Sequence, residues 1–278
     1  MSRKPKVAVH KFSSCDGCQL AFLNLGEDLL RVAELVDFVH FAEAGPVQAQ
    51  ERSIKAQTDP IEAHAKVDIA FVEGSISTPE EVERIQQVRA HSRFVVTIGA
   101  CATAGGVQAL RNLADGGKWI AAVYAQPQYI QSLATVTPIA SHVKVDLELW
   151  GCPVSSRQVL GALRALLFGV VPAEEQDKVC MECKRNQTVC VMVAKGIPCM
   201  GPVTRTGCGA LCPAFGRDCY ACYGPAENPN TVGLARRLEG LGLAPDDIAR
   251  RFLFINNAAP AFNEAGLRAK GEAHGGKS

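Results

Sequence analysis

Twelve cysteines stand at positions 15, 18, 101, 152, 180, 183, 190, 199, 208, 212, 219 and 222. Thiolates are nucleophiles and soft metal ligands, so their spacing is where chemistry is sought first. Cys15 and Cys18 form a C-x2-C pair in SSCDGCQL. Such a pair serves as a redox dithiol, half of a zinc site or half of an iron–sulfur site. A thioredoxin-like dithiol explains two thiols and leaves Cys101 and Cys152 idle. Zinc favours paired C-x2-C knuckles, whereas Cys101 and Cys152 are single cysteines far along the chain. That scatter suits a cuboidal cluster seated at the edge of a sheet.

The other eight cysteines crowd into residues 180–222, as C180-x2-C183-x6-C190-x8-C199 and C208-x3-C212-x6-C219-x2-C222. The ferredoxin run C-x2-C-x2-C-x3-C-P is absent. Eight thiols fit two clusters of four ligands, grouped either in chain order or with one ligand swapped each way. Zinc remains a rival here, because ribbon and treble-clef folds use similar spacings. Crowding argues against twelve small buried hydrophobes. Lys184, Arg185, Lys195, Arg205 and Arg217 lie among these cysteines, either as solvated surface groups or as charges that offset a cluster or dock a partner. Glu73, in FVEGSIS, either caps a loop through backbone N–H groups or relays a proton.

The 278 residues carry a net charge of +1, which gives no sign of nucleic acid or an anionic membrane as partner. The first residues, MSRKPKVAVHKF, have no apolar signal core or twin arginine, and no run is long enough to span a membrane. A cytoplasmic location is expected, where six disulfides would not persist.

Short apolar runs at 6–10, 35–41, 67–72 and 93–98, with a weaker fifth at 136–139, read as strands. A helical pattern over 19–32 places Leu20, Leu23 and Leu30 on one face. Residues 79–91 read as a helix with Thr78 as N-cap and Pro79 in its first turn. Residues 155–168 read as another that starts at a serine. Strands alternating with helices imply an α/β fold with a parallel sheet, whose ligands gather beyond the carboxyl ends of the strands. Cys15, Cys18, Glu73, Cys101 and Cys152 then fall in equivalent loops, beside Gly17, Gly99, Gly105, Gly106 and Gly151. Residues 178–225 have little periodicity and look too poor in apolar residues for a core of their own, so metal centres would hold them. Helical patterns return after residue 230, and 271–278 read as loose.

SCDGCQLAFLNL, FVEGSIS, GACATAGGV and WGCPVSSRQVLGAL together resemble the small subunit of NiFe hydrogenases. They are most similar to the cytoplasmic group with F420-non-reducing hydrogenases and sulfhydrogenases, and the resemblance extends to the 20 kDa subunit of respiratory complex I. It implies a flavodoxin-like domain over 1–172 and an irregular cysteine-rich domain over 173–278. It implies three 4Fe–4S clusters: a proximal one on Cys15, Cys18, Cys101 and Cys152, a distal one on Cys180, Cys183, Cys190 and Cys199, and a medial one on Cys208, Cys212, Cys219 and Cys222. Relatives exported from the cytoplasm use a histidine where Cys180 stands.

The implied role is electron transfer between the NiFe site of a separate large subunit and a further redox subunit. No catalytic residue is expected in this chain. GACATAGG lacks the G-x-G-x-x-G fingerprint, so flavin, F420 or nicotinamide would belong to other subunits. A hydrogen-sensing regulatory subunit and a zinc-stabilised interaction module are the rival functions.

Overall fold

The structure is a computed structural model that describes residues 3–45, 66–170, 172 and 177–271. Five strands, β1 (Lys6–Lys11), β2 (Asp37–Phe41), β3 (Val67–Glu73), β4 (Ser92–Ile98) and β5 (Leu147–Leu149), form one sheet in the order β2-β1-β3-β4-β5. Every pair is parallel. This is the doubly wound order of a flavodoxin-like domain.

The helices of the first part are α1 (Gly17–Leu23), α2 (Glu27–Leu35), α3 (Pro79–His91), α4 (Gly99–Ala104), α5 (Gly116–Val123) and α6 (Ser156–Leu167). One face of the sheet presents Val7, Val9, Phe71 and Ile98 to Phe22, Val159 and Leu163 of α1 and α6. The other presents Ala8, Val72 and Val95 to Ile85 and Val88 of α3. Strands covered on both faces read as near-continuous apolar runs, which is why they stand out in the sequence. Both predicted helix starts are capping boxes. The Thr78 hydroxyl accepts from Glu81 N–H while Glu81 reaches back to Thr78 N–H, and Ser155 and Gln158 repeat the arrangement.

Two expectations are corrected. The fifth strand is Leu147–Leu149, not 136–139. Thr137 makes only an isolated antiparallel bridge to Ile76. Asp146 aligns the true strand, since its carboxylate accepts Val95 N–H at 2.8 Å and its own N–H donates to Val95 O at 2.9 Å. The helix expected over 19–32 is two helices, broken at Gly26, whose φ of 57° leaves the helical region. Cys18, Ala21 and Phe22 face the core, while Leu20 and Leu30 are 49% and 69% exposed.

The cysteine-rich part continues with α7 (Val179–Arg185), α8 (Val191–Lys195), α9 (Leu211–Ala214), α10 (Thr231–Glu239), α11 (Pro245–Phe252) and α12 (Pro260–Ala269). It is not short of a core. Val179, Val191, Met200 and Val203 pack with Leu238, Ile248, Phe252 and Phe262 of α10, α11 and α12, and with Trp150 and Ala104 of the first part. The apolar partners come from outside 178–225, so that segment alone looks poorer than the unit it joins. The expected domain boundary borders residues 173–176, and the expected loose end is 271–278; of these, 173–176 and 272–278 lie outside the described residues.

Candidate metal centres

The first four cysteines come together at the carboxyl edge of the sheet. Cys15 and Cys18 follow β1, Cys101 lies in α4 directly after β4, and Cys152 follows β5. Asp16, between the first two, holds a left-handed backbone (φ 66°) as N-cap of α1 and accepts Lys11 Nζ at 2.6 Å. Glu73 is the last residue of β3, 1% exposed, and its Oε1 accepts the Cys18 N–H at 2.9 Å. The capping role is thus the one its geometry fills. Burial raises the Glu73 carboxyl, partly offset by the Cys18 N–H and by Gln19.

Two glycines hollow out this edge. A Cβ on Gly99 (φ 85°) would lie 2.2 Å from Cys18 Sγ, and one on Gly106 (φ 61°) would lie 2.5 Å from Cys101 Sγ. Only glycine tolerates both the dihedral and the approach. Asn257, between α11 and α12, holds this wall by donating Nδ2 to Gly106 O at 3.0 Å. The thiol of Cys101 also meets Gln108 Oε1 at 3.1 Å.

These thiols act on one another. Burial pushes Cys101 up to about 12, and Cys152 and Cys15 beside it push the same way. Burial raises Cys152, with Cys15 adding to it. Cys18 is driven up chiefly by burial, with Glu73, Cys101 and Cys152 contributing. Cys18, Cys101 and Cys152 thus resist becoming thiolates, with no cation among these causes, and a bound metal would supply the missing positive charge.

The remaining eight lie near one another in the cysteine-rich part. Cys180 and Cys183 lie on α7, and Cys190 caps α8. Burial pushes Cys183 up to about 11, followed by Cys180, Cys199, Cys190 and Cys208. A Cβ on Gly201 would stand 3.5 Å from both Cys180 Sγ and Cys199 Sγ. Cys222 is pushed up to about 12 by burial, then by Cys208, Cys152 and Cys212. Cys219 is raised by burial and lies in the fields of Cys199 and Cys222.

The first four also reach these eight: Cys152 lies in the field of Cys222. The Cys219 N–H donates to Cys199 Sγ at 3.3 Å. Cys15 and Cys190 are the two exposed cysteines.

Among the basic residues, Arg185 pairs with Asp177, and Arg205 lies over the Trp150 ring, 5.1 Å from its centroid. The Lys184 charge favours the Cys180 thiolate. Sequence reasoning missed Glu182, whose carboxylate is buried between α7 and the Cys208–Cys212 loop. A lone carboxylate between two ligand-type cysteines was its only signal.

All-thiol donor sets and glycine-lined walls fit iron–sulfur clusters. Among the described residues no three His, Cys, Asp or Glu side chains converge closely enough to hold a single metal ion. No described helix is long and apolar enough to cross a membrane.

Comparison with known proteins agrees with this chemistry. The profile of the NADH ubiquinone oxidoreductase 20 kDa subunit family matches residues 15–166. Sulfhydrogenase 2 subunit delta of Pyrococcus furiosus is 32% identical, over 88% of this chain and 97% of that one. A vhu subunit of the F420-non-reducing hydrogenase of Methanocaldococcus jannaschii is 28% identical over 90% of this chain and 93% of its own length. A solved chain of an NAD+-reducing NiFe hydrogenase superposes with a TM-score of 0.52 at 27% identity, covering 62% of this chain and 95% of that one. A NiFeSe hydrogenase chain from Dm. baculatum shares the fold at a TM-score of 0.59 and 16% identity, over 82% and 97% of the two chains. The chain belongs to the family that unites the 20 kDa subunit of NADH ubiquinone oxidoreductase with the small subunits of NiFe hydrogenases.

Proposed function

We propose that this chain is the electron-transfer subunit of a cytoplasmic hydrogenase, relaying electrons between the NiFe site of a large subunit and a further redox subunit. It is one member of an enzyme complex whose catalytic site lies in the large subunit. In this reading residues 1–172 and 173–278 are separate domains. Three 4Fe–4S clusters, when bound, each supply a site that takes up or releases one electron.

The observation that carries the reading is the series of thiol sets. Cys15, Cys18, Cys101 and Cys152 hold the first cluster. Cys208, Cys212, Cys219 and Cys222 hold the middle one, beside Cys152 through Cys222. Cys180, Cys183, Cys190 and Cys199 hold the last, beside Cys219 through Cys199. Cys180, Cys190 and Cys199 acting on Cys183, and Cys208 and Cys212 acting on Cys222, support the chain-order grouping, although Cys208 also acts on Cys183 and Cys199 on Cys219. The family relationship to NiFe hydrogenase subunits supports iron–sulfur clusters over zinc.

The protein's own groups have two tasks. The sulfurs give up protons on loading, which burial otherwise opposes. Backbone N–H groups favour their charged forms: Val154 at Cys18, Val107 at Cys101 and Gly201 at Cys199. The relatives named as sulfhydrogenase and F420-non-reducing hydrogenase subunits support the assignment to a hydrogenase.

Anaerobic purification with co-eluting subunits, followed by metal counts and EPR of the reduced sample, tests this. About twelve iron atoms per chain are expected, with nickel in the partner. Near-zero iron with stoichiometric zinc would overturn it. Cys15→Ser should remove one cluster signal and leave two; persistence of all three would refute the first ligand set.

A further inference from the structure

Glu182 sits on α7 between Cys180 and Cys183, yet its carboxylate turns to the loop that carries Cys208. It is 7% exposed. Its Oε1 accepts the N–H groups of Gly207 at 3.0 Å and Gly209 at 3.1 Å. Its Oε2 accepts the Ala210 N–H at 3.0 Å and lies 3.7 Å from Cys208 Sγ. The loop bends around it, with positive φ at Gly207, Gly209 and Ala210. Asn186, at the end of α7, pins the same loop by donating Nδ2 to Gly209 O at 2.8 Å.

This arrangement does two things to a cluster held by Cys208. First, it places a carboxylate against a ligand sulfur. As a thiol, Cys208 donates to Oε2; once iron replaces that proton, the oxygen faces a sulfur whose electron density grows on reduction. In a poorly screened interior that repulsion is large. Second, it occupies the Gly207 and Gly209 N–H groups in the ligand loop, while the Ala210 N–H that Oε2 also accepts still favours the charged form of Cys208. Such donors, when aimed at cluster sulfur, stabilise the reduced form. Both effects make reduction harder.

Resting on the reading of Cys208 as a cluster ligand, we propose that Glu182 is a positioning residue that lowers the reduction potential of that cluster. A brace alone would need only an acceptor of the right shape. The carboxylate supplies charge as well, at the junction between two proposed cluster sites.

The test is a potentiometric titration followed by EPR, on the anaerobically purified complex with its partner subunits. The unsubstituted complex and a Cys208→Ser complex are read first. Retention of every cluster signal in Cys208→Ser would overturn the ligand assignment, and this inference with it, before any substitution at Glu182. Glu182→Gln keeps the shape and removes the charge. At a fixed potential, the reduced-to-oxidised ratio of the Cys208 cluster should rise about tenfold, equivalent to about 59 mV for a one-electron couple, while the first cluster stays unchanged. An unchanged ratio, or an equal shift in all clusters, would overturn the proposal. Should Glu182→Gln lose the cluster, Glu182→Asp decides. Its return with the reduced-to-oxidised ratio of the unsubstituted complex supports the proposal; its return with a raised ratio, or its loss in both variants, shows a structural contact only and overturns it.

Discussion

The Cys18 N–H donates to Glu73 Oε1 at 2.9 Å across 55 positions of sequence. The end of β3 thereby fixes the backbone of a proposed ligand in the loop after β1. Glu73→Gln retains an acceptor oxygen, so the first cluster should persist and stability should change little. Glu73→Ala leaves a buried N–H without a partner, at a cost of about 1–3 kcal/mol, and should lower occupancy of the first cluster. Urea unfolding and EPR of both variants check this. Equal behaviour of the two would show that the hydrogen bond is not what Glu73 contributes.

The wall around Cys18 makes a sharper prediction. Gly99→Ala places a Cβ 2.2 Å from Cys18 Sγ at a φ of 85°. Neither can relax without moving the sulfur or the strand end, so the first cluster signal should vanish while the other two remain. Gly161→Ala is the contrast. Gly161 lies in α6 with nothing within 4 Å of the added carbon, so it should stabilise by about 0.5–1 kcal/mol. Retention of the first signal in Gly99→Ala would mean that the sheet edge yields more readily than its close contacts imply.

Some of this was legible in the sequence for clear physical reasons. β3 and β4 are buried on both faces, so their composition announces them, and Thr78 and Ser155 mark helix starts by local hydrogen bonding alone. Cys15, Cys18 and Cys101 were legible because each follows a strand that its composition announces, whereas Cys152 was legible only through the WGCP motif. β5 was not, because LEL is too short to show a pattern; it depends on Asp146 meeting Val95, a contact made only by folding. Glu182 was hidden for the same reason, since its partners lie 25–28 positions away. The core beneath the cysteine-rich loops was missed because Leu234, Leu238, Ile248, Phe252 and Phe262 reach it from helices after residue 230.

That shared core predicts a coupling between α11 and the cluster loops. Phe252 is 1% exposed and packs edge-on to Phe262, 5.9 Å between centroids. Phe252→Ala should cost about 3–5 kcal/mol. It should reduce iron bound by the last eight cysteines more than iron at the first site. Iron counts and EPR amplitudes after mild heating separate the sites. Equal loss at all three would show that the first part depends on this core as strongly as the second.

His10 on β1 is 3% exposed and stacks on His40 of β2, 4.7 Å between ring centroids. Its Nε2 has no partner among the described residues. Burial holds His10 well below its ordinary 6.5, and the neighbouring His40 and Arg84 push it the same way. The unfolded chain therefore takes up a proton near 6.5 that the folded chain refuses. Stability from this group is full above that value and falls as pH drops below it, by at most about 1.4 kcal/mol per pH unit for one proton. His10→Phe keeps a ring against His40 and removes the titration. Between pH 7.5 and 5.5 its urea midpoint should fall less than that of the unsubstituted chain. His40, itself lowered by burial and Arg84, accounts for the slope that remains. Parallel pH profiles for the two proteins would remove His10 from the acid sensitivity of this fold.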